Sequence, residues 1–364
     1  MDPDQTYMFR CLQLAAMGIG RVAPNPMVGA VLAHGDRVIG EGHHRVYGGP
    51  HAEVECLESV RPADRHLIPA SRMYVSLEPC AHHGKTPPCA DRIIREGIKE
   101  VHVACRDPFP DVDGKGIERM RAAGVKVEVG SMASEARELN RRFLTFHLAR
   151  RPYIVLKWAE SADGMIAGPG KVRTTISGPL ANRIVHRWRS EEQAILIGSQ
   201  TAAIDDPRLT ARIPGGHDPL RIVIDRLLSL PAHLHIFTDG GQTVVVNIYR
   251  NDAEGSVRYL RIPHEGDPLA HTLSGLYGLG VQSVLVEGGR FTLDAFLKEG
   301  LWDECRRIRS LHLQIPDGYP APQAPMDSLV ESQVWDTDRI DLYRNQKAIP
   351  DFGEARQRVE GLSP

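Results

Sequence analysis

The sequence has no long hydrophobic run, no surplus of either charge, no disulfide-like cysteine framework and no internal repeat. Without an apolar stretch of about 20 residues, nothing reads as a membrane span. The opening "MDPDQTYMFRCLQLAAMGIG" puts acids where a signal peptide needs bases, and its apolar stretch is short and interrupted, so a cytoplasmic chain with no membrane partner is expected. Forty-four basic residues stand against 46 acidic ones, for a formal charge of -2. That balance argues against a nucleic-acid partner, which calls for a basic excess or stripe. Cys11, Cys56, Cys80, Cys89, Cys105 and Cys305 are scattered widely. In a reducing compartment such thiols mean packing, metal or catalysis. Only Cys80 and Cys89 lie in unusual company. The second half also lacks a GxGxxG after an early strand, which removes the common dinucleotide-binding fingerprint.

What is present is material for two ordinary globular cores. The chain has 364 residues, 42% apolar and 25% charged, and single cores stop growing well before this length. In the first part "DQTYMFRCLQLAAMG" has helical spacing, "MVGAVLAHGDRVIGEG" reads as a hairpin, "HAEVECLESV" is helical and "RMYVSLEP" extended. "CADRIIREGI", "EVHVACRDP", "GKGIERMRAAG" and "VKVEVG" continue the alternation, which predicts a layered α/β domain with loop-borne residues gathered at strand ends. The charged stretch "ASEARELNRRFLTFHLARRP" reads as one helix stopped near Pro152. The boundary is therefore set near residue 147, giving domains 1–147 and 148–364. The second domain alternates helix and strand again, through "RIVIDR", "QTVVVN" and "VQSVLVEGGRFTLDAFLKEG". From about residue 303 the signal weakens, and the terminal "DFGEARQRVEGLSP" reads as frayed helix or disorder.

The chemistry concentrates in "HAE" at 51–53 and "EPCAHHGKTPPCA" at 78–90. Zinc takes imidazole and thiolate ligands, and a catalytic zinc site uses three protein ligands with the fourth position open. His51, Cys80 and Cys89 meet that count. Glu53, two residues after the histidine, suits a carboxylate that moves protons without coordinating, as hydrolytic deamination requires. The motif H-x-E followed by P-C-x-x-C marks zinc deaminases. Here the second cysteine comes nine residues after the first. Two prolines ahead of Cys89 suit the opening of a helix, whose positive end favours a thiolate. A structural zinc would instead need a fourth protein ligand, for which His82 or His83 is the candidate.

"APNPMVGAV", "GEGHHRVYGGPHAEVE", "SLEPCAHHGKTPPCAD" and "DPFPDVDGKGIERMRAAGV" resemble the deaminase half of the bifunctional riboflavin-biosynthesis deaminase/reductases, whose long "EPC…GKTPPC" form explains the wide cysteine spacing. The resemblance implies a cytidine-deaminase-like three-layer domain. His51, Cys80 and Cys89 would bind one Zn2+, with Glu53 as the catalytic proton shuttle. Asn25 and His44 would contact the substrate, a small phosphoribosylaminopyrimidine. Phe109 stands where many relatives carry asparagine.

"LKWAESADGMIA", "GSQTAAIDDPRLTAR", "RIVIDR" and "LVEGGRFTLDAFL" resemble the reductase half of the same family, implying a dihydrofolate-reductase-like domain that uses NADPH. By matched position Ala159, Thr201, Asp205, Glu287 and Gly289 would line the cofactor site, and Arg189, Leu209 and Arg212 would hold the substrate, the arginines at its phosphate. Lys157 and Asp205 are the ionisable candidates near the hydride transfer. "RTT" at 173–175 replaces a tryptophan common in relatives, and the region after 303 departs from the family's apolar strand and glycine-rich end. The implied activity is deamination of 2,5-diamino-6-(5-phosphoribosylamino)pyrimidin-4-one, followed by reduction of its ribosyl chain. Two alternatives stand beside it: an active deaminase whose reductase half is weak or inactive, and a nucleic-acid-binding protein with structural zinc. Domains of this kind often associate, which leaves a homo-oligomer open.

Overall fold

The structure, a computed structural model, describes residues 2–82, 87–172 and 174–346. The chain divides into two compact units, Met1–His147 and Leu148–Pro364. None of the described helices is long and apolar enough to cross a membrane.

The first unit begins with α1 (Pro3–Ala16), where the Asp2 side chain accepts the Gln5 N–H and Gln5 answers in a capping box. The hairpin β1 (Gly29–His34) and β2 (Arg37–His43) leads into α2 (Ala52–Glu58), then β3 (Arg72–Val75), α3 (Cys89–Arg95), β4 (Glu100–Val103), α4 (Lys115–Ala122), β5 (Lys126–Val129), α5 (Ala133–Leu139) and α6 (Arg141–Ala149). The strands form one sheet in the order β2-β1-β3-β4-β5. β1 runs antiparallel to β2 and β3, whereas β3, β4 and β5 are parallel.

Period-two alternation splits β1 between two cores. Ala30 and Leu32 pack with Ala52, Cys56 and Ile93 from α2 and α3, while Val31 and Ala33 pack with Met8, Cys11 and Leu12 of α1 and Ala136 of α5. The outcome is helix, sheet and helix in three layers. The stretch expected as one helix before Pro152 is two. Asn140 breaks it because its side chain leaves the helical pattern to pair with the Met27 backbone, accepting from N–H at 2.8 Å and donating to C=O at 2.9 Å.

The second unit has β6 (Tyr153–Glu160), β7 (Met165–Ala167), α7 (Pro179–Glu191), β8 (Ala194–Gly198), α8 (Ser199–Asp205), β9 (Leu220–Ile224), α9 (His235–Thr238), β10 (Thr243–Asn247), β11 (Ala253–Glu254), β12 (Val257–Arg261), α10 (Pro268–Gly278), β13 (Ser283–Val286), α11 (Arg290–Lys298), β14 (Glu304–Ser310), β15 (Tyr319–Pro320), β16 (Leu329–Trp335) and β17 (Asp338–Arg344). Ten of these strands form one sheet, ordered β11-β12-β10-β9-β8-β13-β6-β14-β17-β16. From β12 to β14 the neighbours are parallel, and the β16–β17 hairpin adds an antiparallel edge.

Residues 304–344 thus carry more regular structure than their sequence suggests, and the terminal stretch 351–364 lies outside the described residues. β14 hides its strand character because charged residues occupy interior positions. Arg306 is buried against Glu304 at 2.5 Å and stands over the Trp188 ring at 4.9 Å, and Arg307 pairs with Asp341 at 2.6 Å.

α2, which carries His51 at its start, lies directly on β2 at Gly42. A Cβ there would stand 2.3 Å from the Cys56 amide nitrogen and 2.5 Å from the Ala52 carbonyl oxygen. Both neighbours are backbone, so the helix itself would have to move. Gly42→Ala is expected to lower stability by about 1–3 kcal/mol, as overpacking does; a lower denaturant midpoint at unchanged slope is the readout.

Candidate functional site

Three segments bring the metal donors together. His51 is the N-cap of α2, in an extended conformation that leaves its ring outside the helix. Cys80 lies on the loop leaving β3, and Cys89 opens α3 just after Pro88. The His51 Nδ1 stands 3.5 Å from Cys80 Sγ and 3.3 Å from Cys89 Sγ. The edge between a nitrogen and a sulfur in a zinc tetrahedron, with bonds of about 2.0 and 2.3 Å, is roughly 3.5 Å. The donors already stand at that spacing.

The electrostatics also favour a cation. The Cys80 thiol is pulled down by the hydrogen bond from Cys89 and by His51, with a further N–H donated by Cys89 at 3.3 Å. His51 is pushed up to about 9, chiefly by its bond to Cys80. A raised imidazole beside a lowered thiol marks a place for positive charge, and zinc would supply it while taking the imidazole neutral and the thiols as thiolates. Among the described residues, the group able to hold a metal is His51, Cys80 and Cys89. His82 is described and exposed, its ring set edge-on to Phe109 at 6.1 Å. His83 lies outside the described residues.

Glu53 sits in the first turn of α2, 3% exposed. Burial raises its carboxyl, His51 opposes the shift, and the balance is about 7. A group at that value can both take and return a proton near neutrality. His44, also buried, meets the His51 ring edge-on at 5.6 Å. Its Nδ1 faces the Pro50 carbonyl at 2.8 Å and must donate to it. In the neutral ring Nε2 is then an acceptor, and the Asn25 amide donates to it at 3.0 Å. Burial lowers the His44 value, which favours that neutral ring. Asn25 and His44 are therefore one hydrogen-bonded unit beside the metal position. Phe109 belongs to an aromatic cluster, 5.2 Å from the His147 ring, which in turn lies 4.4 Å from Phe143. Burial holds His147 down at about 4.

In the second unit the matched residues gather at the carboxyl ends of β8, β13 and β6, where open α/β sheets bind ligands. Gly289 caps α11, and its N–H donates to Thr201 Oγ1 of α8 at 2.8 Å. A Cβ on Gly198 would lie 2.6 Å from Thr292 Oγ1, and one on Gly288 would lie 2.9 Å from the Thr292 Cβ. Glycine thus keeps both turns clear of the Thr292 side chain. Ala159 lies half-buried on β6, and Asp205 ends α8.

Glu287 follows β13 and is fully engaged. Arg189 approaches it in a fork at 2.7 and 2.8 Å, and Lys157 at 3.5 Å. Burial alone would raise the Glu287 carboxyl, but Lys157 and Arg189 outweigh it and hold it at about 2. Arg189 also donates to the Thr210 carbonyl at 3.1 Å. Its pairing was not visible in sequence, and Arg212, which is exposed, is the freer cation. Arg189, Leu209 and Arg212 line one cleft of about 1150 Å³. The Leu209 side chain is buried in the core with Val223 and Ile197, and its backbone is left-handed at φ 56, so it offers the cleft its main chain.

Residues 1–105 match the cytidine and deoxycytidylate deaminase zinc-binding region, and residues 152–308 match the RibD C-terminal domain. The riboflavin biosynthesis protein RibD of Aquifex aeolicus is 40% identical over 307 residues, 82% of this chain and 85% of that protein. The chain belongs to the RibD family. The Escherichia coli RibD is 37% identical over 318 residues, 83% of this chain and 86% of its own length. The crystal structure of a diaminohydroxyphosphoribosylaminopyrimidine deaminase/5-amino-6-(5-phosphoribosylamino)uracil reductase from Thermotoga maritima is 33% identical, covering 94% of this chain and 98% of that one at a TM-score of 0.84. The RibD of Acinetobacter baumannii, in one crystal form, gives 34% identity, 94% and 99% coverage and a TM-score of 0.85. RibD membership bears out the expected fold class, a deaminase-like unit followed by a reductase-type unit, and the expected pairing of zinc with a nicotinamide cofactor.

Sequence reasoning passed over Glu78 in this RibD chain, and it named Lys157, Arg189 and Glu287 without their pairing. Glu78, just ahead of the first cysteine ligand, is 4% exposed and holds a loop together; the acid within "EPC" was its only signal. The Lys157–Glu287–Arg189 network joins residues 130 positions apart in sequence (287 − 157), and no local pattern announces it.

Because the folded Glu287 value lies below its ordinary 4.5, its stabilising contribution is present above that pH and is lost as pH falls toward about 2. Arg189→Met removes the forked partner and should cost about 3–5 kcal/mol near neutrality. In urea unfolding the gap from the parent should narrow as the pH is lowered below 4.5.

Proposed function

We propose that residues 1–147 deaminate 2,5-diamino-6-(5-phosphoribosylamino)pyrimidin-4-one at the His51, Cys80 and Cys89 site, and that residues 148–364 then reduce the ribosyl chain of the product with NADPH. The observation that carries the reading is the tetrahedral-edge spacing of His51 Nδ1 to the two thiols, with the buried Glu53 beside them. The similarity to the Thermotoga maritima deaminase/reductase supports both halves.

When bound there, zinc supplies the Lewis acidity that makes water a nucleophile near neutral pH. His51, Cys80 and Cys89 hold it, leaving one side open to substrate. Glu53 takes the proton from the attacking water, passes it to the ring nitrogen and then assists the departing amino group. The bond from carbon to the exocyclic nitrogen breaks, ammonia leaves and oxygen stays. Burial makes this shuttle workable, since a solvated glutamate, at its ordinary value of 4.5, would be too weak a base to take the proton readily near neutrality. Asn25 and His44 hold the pyrimidine or its ribose phosphate, with His44 kept neutral by burial and in one tautomer by Pro50.

In the second unit NADPH supplies the hydride to the ring-opened ribosyl carbon. Ala159, Thr201, Asp205, Glu287 and Gly289 would hold the cofactor. The cleft lined by Leu209 and Arg212 receives the substrate, and Arg212 faces its phosphate. Arg189 acts here by fixing Glu287 and the Thr210 backbone at the mouth of that cleft. The chain works in the cytoplasm on a small soluble substrate.

Glu53→Gln is the direct test. Metal analysis should still find one zinc per chain, deamination followed by product mass should fall by about 10²–10⁴-fold, and oxidation of NADPH by the deaminated intermediate should continue at the parent rate. Unchanged deamination would remove Glu53 from the mechanism. A parent protein that leaves NADPH unoxidised with that intermediate would reduce the reading to a deaminase alone.

A further inference from the structure

The carboxylate of Glu78 is buried two residues ahead of Cys80 and accepts four backbone N–H groups. Oε2 takes those of Gly114 at 2.9 Å and Asp107 at 3.3 Å; Oε1 takes those of Gly116 at 3.0 Å and Ile117 at 3.3 Å. Three of these donors belong to the start of α4, whose first amides have no partner within the helix. The negative charge also suits that end of the helix. The fit is close: a Cβ on Gly116 would stand 1.9 Å from the Pro79 carbonyl oxygen, so the helix start and the turn carrying the cysteine are pressed together.

α4 grips the same turn from its other side. Arg119 donates to the Ala81 carbonyl at 2.9 Å and pairs with Asp91 at 2.7 Å. Asp91 lies in the first turn of α3, two residues after Cys89. Cys80 is therefore bracketed by anchors at residues 78 and 81, and the helix that opens with Cys89 is tied to the same partner. The two thiols come from separate segments and share α4 as their common support.

We infer that Glu78 is a positioning residue for the metal: without touching the metal position, it clamps the Cys80 turn onto α4 and so sets how tightly zinc is held. This rests on the zinc reading of His51, Cys80 and Cys89. Glutamine in its place keeps the shape but turns one oxygen into a donor that faces backbone donors, so part of the clamp becomes repulsive.

In the full-length protein, competition with a chromophoric chelator should find zinc bound about 10–100-fold more weakly in Glu78→Gln than in the parent, the scale on which outer supports act on metal sites. Saturating zinc should return its deaminase turnover to near the parent value, a rescue that a general folding role would not allow. Gly116→Ala approaches the same contact from the helix side and keeps every acceptor; it should weaken zinc in the same way, and it decides the matter if the glutamine variant does not fold. Zinc affinity within about twofold of the parent in the folded variants overturns the inference. So does lost turnover that saturating zinc fails to restore, or loss of the folded unit in both variants. A parent chain that takes up no zinc sinks the metal reading and this inference with it, whereas a parent and variants that bind zinc alike sink the inference alone.

Discussion

One imidazole and two thiols, from three separate segments of the first unit, must meet within one tetrahedral edge of each other, and much of that unit serves this requirement. His51 can point outward because it caps α2 in an extended conformation. α2 can hold it in place because Gly42 lets the helix lie against β2. Cys80 reaches the site from the end of β3, and Cys89 arrives on the first turn of α3. Burying Glu53 beside these groups costs stability if it is charged, yet the same burial brings its carboxyl to about 7, where it can exchange protons. The unit accepts a local penalty in return for a usable acid and base.

The second unit, of a reductase type that uses NADPH, lacks the usual glycine fingerprint; its glycine turns at Gly198 and Gly288 pack against Thr292. The buried Lys157–Glu287–Arg189 group stiffens the neighbouring strand ends. Such a network is costly to desolvate and costly to break.

Much of the first unit could be read directly from the chain. The hairpin, the alternating helices and strands, the three donors and Glu53 all carry local signals: period-two and helical spacing, prolines ahead of a helix, and H-x-E ahead of a widely spaced cysteine pair. The break at Asn140 could not be read, because it depends on the Met27 backbone 113 residues away. The strands after residue 303 were obscured because their buried arginines look like surface residues until their acidic partners, Glu304 and Asp341, are placed beside them. The pairing of Arg189 with Glu287 was hidden for the same reason: a free cation and a paired one have the same letter.

The sequence alone determined which groups can do chemistry here, since a zinc donor set and its neighbouring carboxylate are defined by residue type and short spacing, and the long "EPC…GKTPPC" form narrows them to one family. Only the tertiary structure decided which charges are spent on each other and which face a ligand. It brought Glu78 onto the amides of α4, Arg189 onto Glu287 and Asn25 onto His44, pairings between segments distant in the chain. Hydrogen bonds and ion pairs act over a few ångströms in space and are indifferent to separation along the chain, so their partners become known only when the chain is folded.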